Sequence, residues 1–138
     1  MQETDLAWAA GIVDGEGCIG LHRGEHSKTR VRLSVVNTDP RMLLRMHDMF
    51  GGSVRPLTLY KNKLARKPQW IWVLHGGPAV GKTLMLILPY MVCKSAQAEI
   101  VIEWSKTVLP AKMGRKLSDE VKLMREGLIK KMIVLRGA

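Results

Sequence analysis

Cysteine is scarce in this chain, acid is in deficit, and no apolar run is long. Cys18 and Cys93 are the only cysteines and form neither a zinc-type spacing nor a disulfide framework. That usage fits a reduced, intracellular setting. The first residues, Met-Gln-Glu-Thr-Asp, are polar and acidic, unlike a secretory leader. The longest apolar run, Leu84–Cys93, has ten residues and contains a proline. It is too short to cross a bilayer, so no membrane partner is expected. No repeat or low-complexity tract is present, and 138 residues suit one domain, taken as 1–138. The acid deficit is pronounced: 12 acidic residues face 22 basic ones, giving a net charge of +10 and a pI near 10.0. Such an imbalance favours polyanions, with nucleic acid as the default partner.

What is present begins with residues 9–17, Ala-Ala-Gly-Ile-Val-Asp-Gly-Glu-Gly. A small-residue helix runs into two acids, Asp14 and Glu16, interleaved with Gly15 and Gly17. The C-terminal end of a helix is electron-rich, so carboxylates there oppose the dipole. A bound divalent cation would offset that cost, since hard metals take carboxylate and carbonyl oxygens. An ordinary core helix ending in a glycine-rich turn with solvated acids fits the same residues. Ala7, Ala10 and Gly11 lie at helical spacing and would let another helix approach closely.

Period-two patterning follows. Cys18–Arg23 and Thr29–Val36 read as strands, with Val31, Leu33 and Val35 alternating with Arg30, Arg32 and Ser34. Asn37-Thr38-Asp39-Pro40 opens a helix that reaches Phe50, where Gly51-Gly52 ends it. Ser53–Tyr60 and Gln69–Leu74 read as two further strands around a basic loop. A helix after Gly76-Gly77-Pro78, a longer one over Lys94–Leu109, a linker to Leu117 and a final helix capped by Ser118 complete the chain. The last helix, over 118–136, carries Val121, Met124, Leu128 and Met132 on one stripe. The fold class is α+β: an αββαββα core with an antiparallel sheet, helices on one face and extra C-terminal helices. The other face collects basic residues, either as a solvated surface or as a saddle for nucleic acid.

Residues 9–17 match the name-giving motif of the LAGLIDADG homing endonucleases, and the chain resembles that family elsewhere. Val36-Asn37-Thr38-Asp39-Pro40, Phe50-Gly51-Gly52-Ser53-Val54 and Leu88-Pro89-Tyr90-Met91-Val92-Cys93-Lys94 resemble its landmarks in order. The matched core covers 5–109. Ala9, Gly15 and Glu16 depart from the motif's name, and the last change keeps the charge. A single motif copy implies a homodimer, with Ala7, Ala10 and Gly11 at the helix pairing.

The resemblance implies a site-specific endonuclease that cuts a long, near-palindromic double-stranded DNA site, one strand per subunit across the minor groove. It implies Mg2+ held by Glu16 and the Gly15 carbonyl, with Lys94 and Asp39 as further catalytic residues. Asp14 is instead expected to brace the turn. Arg30, Arg32, Ser34, Arg55, Gln69 and Ile71 are the candidates for base contacts in the major groove. Lys28, Lys61, Lys63, Arg66 and Lys67 are candidates for phosphate contacts. Trp70 and Trp72 have the opposite parity and belong to the core. An intron RNA maturase, with intron RNA as partner, or a cleavage-inactive DNA binder of the same fold are the alternatives.

Gly76-Gly77-Pro78-Ala79-Val80-Gly81-Lys82-Thr83 also matches the phosphate-binding P-loop pattern. A P-loop domain needs several parallel strands, however, and this chain offers amphipathic hairpins. Lys82 then reads as an exposed helix lysine.

Overall fold

The computed structural model describes residues 1–23, 29–57, 67–108 and 118–137. Its first helix, α1 (Glu3–Glu16), starts where the Asp5 carboxylate accepts the Gln2 backbone N–H at 3.1 Å. It continues past Val13, so Asp14 and Glu16 lie within its last turn rather than beyond it. There follow β1 (Gly17–Arg23), β2 (Thr29–Asn37), α2 (Pro40–Phe50), β3 (Ser53–Leu57), β4 (Gln69–His75) and α3 (Gly77–Ile87). A 3-10 turn, Leu88–Tyr90, precedes α4 (Ser95–Ser105) and α5 (Asp119–Leu135). The expected basic loops, the strand residues beyond Leu57, and the linker after Val108 lie outside the described residues.

The strands form one antiparallel sheet in the order β1-β2-β4-β3. Leu33 pairs with Ile19 on one side and Leu74 on the other, and Val35 pairs with Gly17 and Trp72. Because side chains alternate between faces, this register puts Ile19, Leu21, Val31, Leu33, Val35, Trp72 and Leu74 on one side. There they pack with Ala9, Ala10 and Val13 of α1, Leu43 and Met46 of α2, and Val80, Leu84 and Ile87 of α3. Trp72 is fully buried, and its indole N–H donates to the Gly51 carbonyl at 2.8 Å. A buried indole needs such a partner. Trp70 packs against the same core, so both tryptophans take the core side their parity predicts.

One expectation is corrected, and the rejection of the P-loop stands. In the final helix, Met124 is exposed, and Leu128, Ile129 and Met132 are the buried residues. The stripe rotates because Arg125 points inward. Its guanidinium donates to the Thr107 hydroxyl at 2.7 Å and carbonyl at 3.0 Å, and stacks over Trp104. The P-loop pattern holds no loop: α3 begins at Gly77, which puts Gly81, Lys82 and Thr83 inside a helix. Gly81 is small because α4 is close; a Cβ there would lie 2.4 Å from the Ser105 hydroxyl oxygen.

The chain passes from α1 to β1 through Gly17, which has an ordinary extended φ of −84°. Its lack of a side chain matters for space rather than for left-handed geometry. A Cβ at Gly17 would lie 2.7 Å from the Val13 carbonyl oxygen and 2.8 Å from the Val13 Cα. Both are backbone atoms of the motif helix, so the junction would have to open. Gly17→Ala is expected to destabilise the fold by about 1–3 kcal/mol, the usual range for overpacking, as read from urea unfolding. An unchanged midpoint would contradict the tight junction.

Candidate active site and nucleic-acid interface

The last turn of α1 meets the turn that leads into α4. Asp14 accepts three backbone N–H groups from that turn: Val92 at 2.7 Å, Cys93 at 3.0 Å and Lys94 at 3.0 Å. In return, the Lys94 ammonium donates to the carbonyls of Val13 at 3.0 Å and Asp14 at 2.9 Å. These carbonyls are the electron-rich end of α1, which lacks any basic residue in its own last turn. Sequence-distant Lys94 thus supplies one positive charge to this helix end. Asp14 is the brace it was expected to be.

Glu16 is left free of that lock. Its carboxylate is exposed at the tip of α1 and accepts from the side-chain amide of Asn37. Gly15 is exposed too, with open space where a Cβ would stand. Asn37 was missed in the sequence, although it sits in a landmark segment. It ties two parts of the site together, because its side-chain oxygen accepts the Asp39 N–H at 2.8 Å. Asp39 caps α2 by accepting the Arg41 N–H at 2.9 Å, and its carboxylate pairs with the Arg41 guanidinium at 2.7 Å. Both Asp39 oxygens are engaged, so the structure places it as a cap linked to Glu16 through Asn37. The Lys94 ammonium stands on the same helix end as Glu16.

Ala7, Gly11 and Gly15 fall on the solvent-facing stripe of α1, with Trp8 and Ile12 half-buried beside it. Ala10 does not share that stripe. It is 0% exposed and packs in the core of the chain itself, which corrects its expected place in a helix pairing. A spacing of three residues from Ala7 rotates it inward, whereas four residues keeps Gly11 outward.

The second sheet face carries the basic residues. Arg30, Arg32 and Ser34 on β2, Gln69 and Ile71 on β4, and Arg55 on β3 all share it by register: Ser34 opposes Val73, and Arg55 opposes Ile71. Arg30 and Arg55 are exposed, and Arg32 and Gln69 are half-buried. The centre of the face is covered. Ile71 is 3% and Ser34 6% exposed, so Ile71 forms part of the floor rather than a free contact. Lys67 is exposed beside the start of β4. Lys28, Lys61, Lys63 and Arg66 lie outside the described residues.

Parity also places two histidines on this face. His22 of β1 opposes Arg30, and His75 of β4 opposes Arg32. His22 is partly covered and faces two guanidinium groups. Burial first, then the charges of Arg136 and Arg32, hold its pKa below the ordinary 6.5. Arg136, at the end of α5, reaches His22 and Cys18 on this face, and no sequence pattern ties it to the sheet.

The chain is 30% identical to DNA endonuclease I-CvuI of Chlorella vulgaris over 140 residues, spanning 91% of this chain and 82% of that protein. The chain belongs to the LAGLIDADG homing endonuclease family. I-CvuI solved on the I-CreI target with magnesium, its DNA not cleaved, superposes with a TM-score of 0.63 at 26% identity, over 99% of this chain and 97% of that one. The LAGLIDADG homing endonuclease I-GzeII in complex with its DNA target shares the fold: TM-score 0.60, 15% identity, 96% of this chain and 44% of that one. No protein-family profile matches the chain. As a LAGLIDADG protein, it carries the motif on α1, with the acid of the final position at Glu16.

The Asp39 cap makes a pH prediction. The Arg41 side chain, then its backbone N–H, lower the Asp39 pKa from 3.8 to about 2. A carboxylate with a depressed folded pKa stabilises the fold fully above its unfolded value, and that contribution fades as pH falls through the folded one. The Asp39 contribution is therefore present above pH 3.8 and gone below about 2. Asp39→Asn should remove that component, flattening the acid limb of Tm against pH. Identical acid limbs would contradict it.

Proposed function

We propose that this chain is a site-specific double-strand DNA endonuclease, a homing endonuclease acting as a homodimer with Mg2+ on a long, near-palindromic site. The observation that carries this reading is the tip of α1. An exposed Glu16 stands at the end of a helix whose outer stripe is Ala7, Gly11 and Gly15. Small residues let helix axes approach closely, so two copies pairing along this stripe would bring both Glu16 carboxylates together. Like charges at short range repel, and divalent cations relieve that. The chain also spans 44% of I-GzeII, so two copies together approximate that protein's length.

The donor chemistry fits magnesium, which takes oxygen ligands in an octahedral shell. Glu16 supplies a carboxylate and Gly15 a carbonyl. Among the described residues no cluster of three His, Cys, Asp or Glu side chains is present. One chain would therefore offer part of a shell. When bound, Mg2+ supplies the positive charge that polarises the scissile phosphate and lowers the pKa of the attacking water.

The chain's own residues do the rest. Asn37 orients Glu16 by donating to its carboxylate, and Asp39 holds Asn37 in place. Lys94 uses two of its three ammonium protons on the α1 carbonyls. The third, with the ammonium charge, stabilises negative charge as it builds on the phosphate. Each protomer thus cleaves one strand. Arg30, Arg32, Arg55 and Gln69 face the major groove and read base edges, while Ser34 and Ile71 shape the floor beneath them. Lys28, Lys61, Lys63, Arg66 and Lys67 meet phosphates.

Two substitutions test this. Glu16→Gln should retain binding to a matched duplex while cleavage in magnesium falls by about 100-fold or more, the scale of losing a transition-state charge contact. Cleavage surviving at the wild-type rate would refute the assigned role. Gly11→Leu has room in the single chain, since nothing lies within 4 Å of the added Cβ. It should leave the protomer folded yet monomeric by analytical ultracentrifugation, and unable to cut both strands. A Gly11→Leu dimer with full activity would place the pairing elsewhere.

A further inference from the structure

At the β1 edge of the sheet, the outward residues are Cys18, Gly20 and His22, opposite Ser34, Arg32 and Arg30. Gly20 leaves a gap in this row. The imidazole of His22 lies back over it: a Cβ on Gly20 would sit 2.8 Å from His22 Nε2. Arg136 reaches the same gap from a distant element. Its Nη1 lies 3.3 Å from His22 Nε2, and its Nη2 lies 3.2 Å from Cys18 Sγ. The two guanidinium arms thus straddle Gly20.

Arginine has no acceptor, so in this contact the guanidinium donates and His22 Nε2 accepts. The ring proton of the neutral imidazole is therefore on Nδ1. Arg136 is well anchored for the purpose. Its backbone N–H donates to Met132 O at 3.0 Å, and Leu128, Ile129 and Met132 bury the helix behind it. Among the described residues no carboxylate forms an ion pair with it.

We propose that His22 and Arg136 form one base-reading unit, in which Arg136, delivered by α5, fixes the imidazole so that its Nδ1–H meets an acceptor on a base edge. This rests on the reading that the sheet face lies in the major groove. The acceptors of matching chemistry there are guanine N7 or O6, adenine N7 and thymine O4. His22 touches the base. Arg136 acts through it as a positioning residue, although it lies beyond the sheet. The last turn of α5 then contributes to sequence choice and not only to packing.

The test is selection of bound duplexes from a randomised library by the full chain and by His22→Ala, Arg136→Ala, Arg136→Lys and the double alanine variant. The expected result is that His22→Ala and Arg136→Ala each relax preference by about tenfold at the same single base pair of each half-site. The double variant should be no worse than either single one, and Arg136→Lys, which keeps a donor, should recover part of the preference.

A phosphate contact behaves differently: it weakens all sequences alike and reduces the salt slope of binding by about one. Either that pattern for Arg136→Ala, or an unchanged base preference with only a lower Tm, would overturn the proposal. His22→Ala removes only an exposed side chain, so it reports even if Arg136→Ala loosens α5; full preference in His22→Ala refutes the unit by itself. A wild-type chain that enriches no sequence overturns the endonuclease reading, and this one with it.

Discussion

The exchange between Asp14 and Lys94 fixes everything that matters about the site. One carboxylate gathers the N–H groups of Val92, Cys93 and Lys94, and one ammonium caps the carbonyls of Val13 and Asp14. The carboxylate meets N–H groups of the turn before α4, and the ammonium meets carbonyls at the end of α1, where such groups run short of partners. Charge-assisted bonds of this kind are stronger than neutral ones. Their joint effect is positional: the tip of α1 cannot swing away from the start of α4. Glu16 therefore projects from a rigid corner, held on its other side by Asn37. The role proposed for Glu16 needs such support, since small displacements of catalytic groups lose rate steeply.

From that corner the two surfaces of the protein follow. The α1 stripe of Ala7, Gly11 and Gly15 faces outward because Ala10 and Val13 are drawn into the core. The sheet turns its apolar parity toward the helices, so Arg30, Arg32 and Arg55 share the opposite face. Both surfaces meet the last turn of α1, since β1 leaves it directly at Gly17. The proposed metal-binding tip and the basic sheet face are thus mounted on one continuous piece of backbone, with Gly17 keeping the junction tight.

Much of this was legible in the sequence wherever one periodicity governed a segment. The alternation of Val31, Leu33 and Val35 with Arg30, Arg32 and Ser34 gave the strand and its faces together. Asp39-Pro40 marked the start of α2 through capping chemistry that is local by nature. The motif acids were visible, but the partner of Asp14 was not, because the amides it binds lie about 80 residues away in sequence. The dipole at the α1 end calls for a cation, and the Lys94 ammonium meets part of that need.

The failures share a cause. Small residues at helical spacing do not reveal which of them faces inward, and Ala10 went to the core. The α5 stripe rotated because Arg125 found Thr107 and Trp104, a tertiary choice without a sequence period. Ile71 had the right parity yet lies beneath its neighbours. The central claim is that two copies of α1 meet along their exposed stripe and gather both Glu16 carboxylates around the scissile phosphates. The most direct measurement is a crystal structure of the chain on a selected duplex with calcium in place of magnesium. The account predicts the two α1 tips side by side over the central base pairs, with both Glu16 carboxylates coordinating calcium. Two α1 tips on opposite sides of the DNA, with Glu16 facing solvent and no ion beside it, would contradict it.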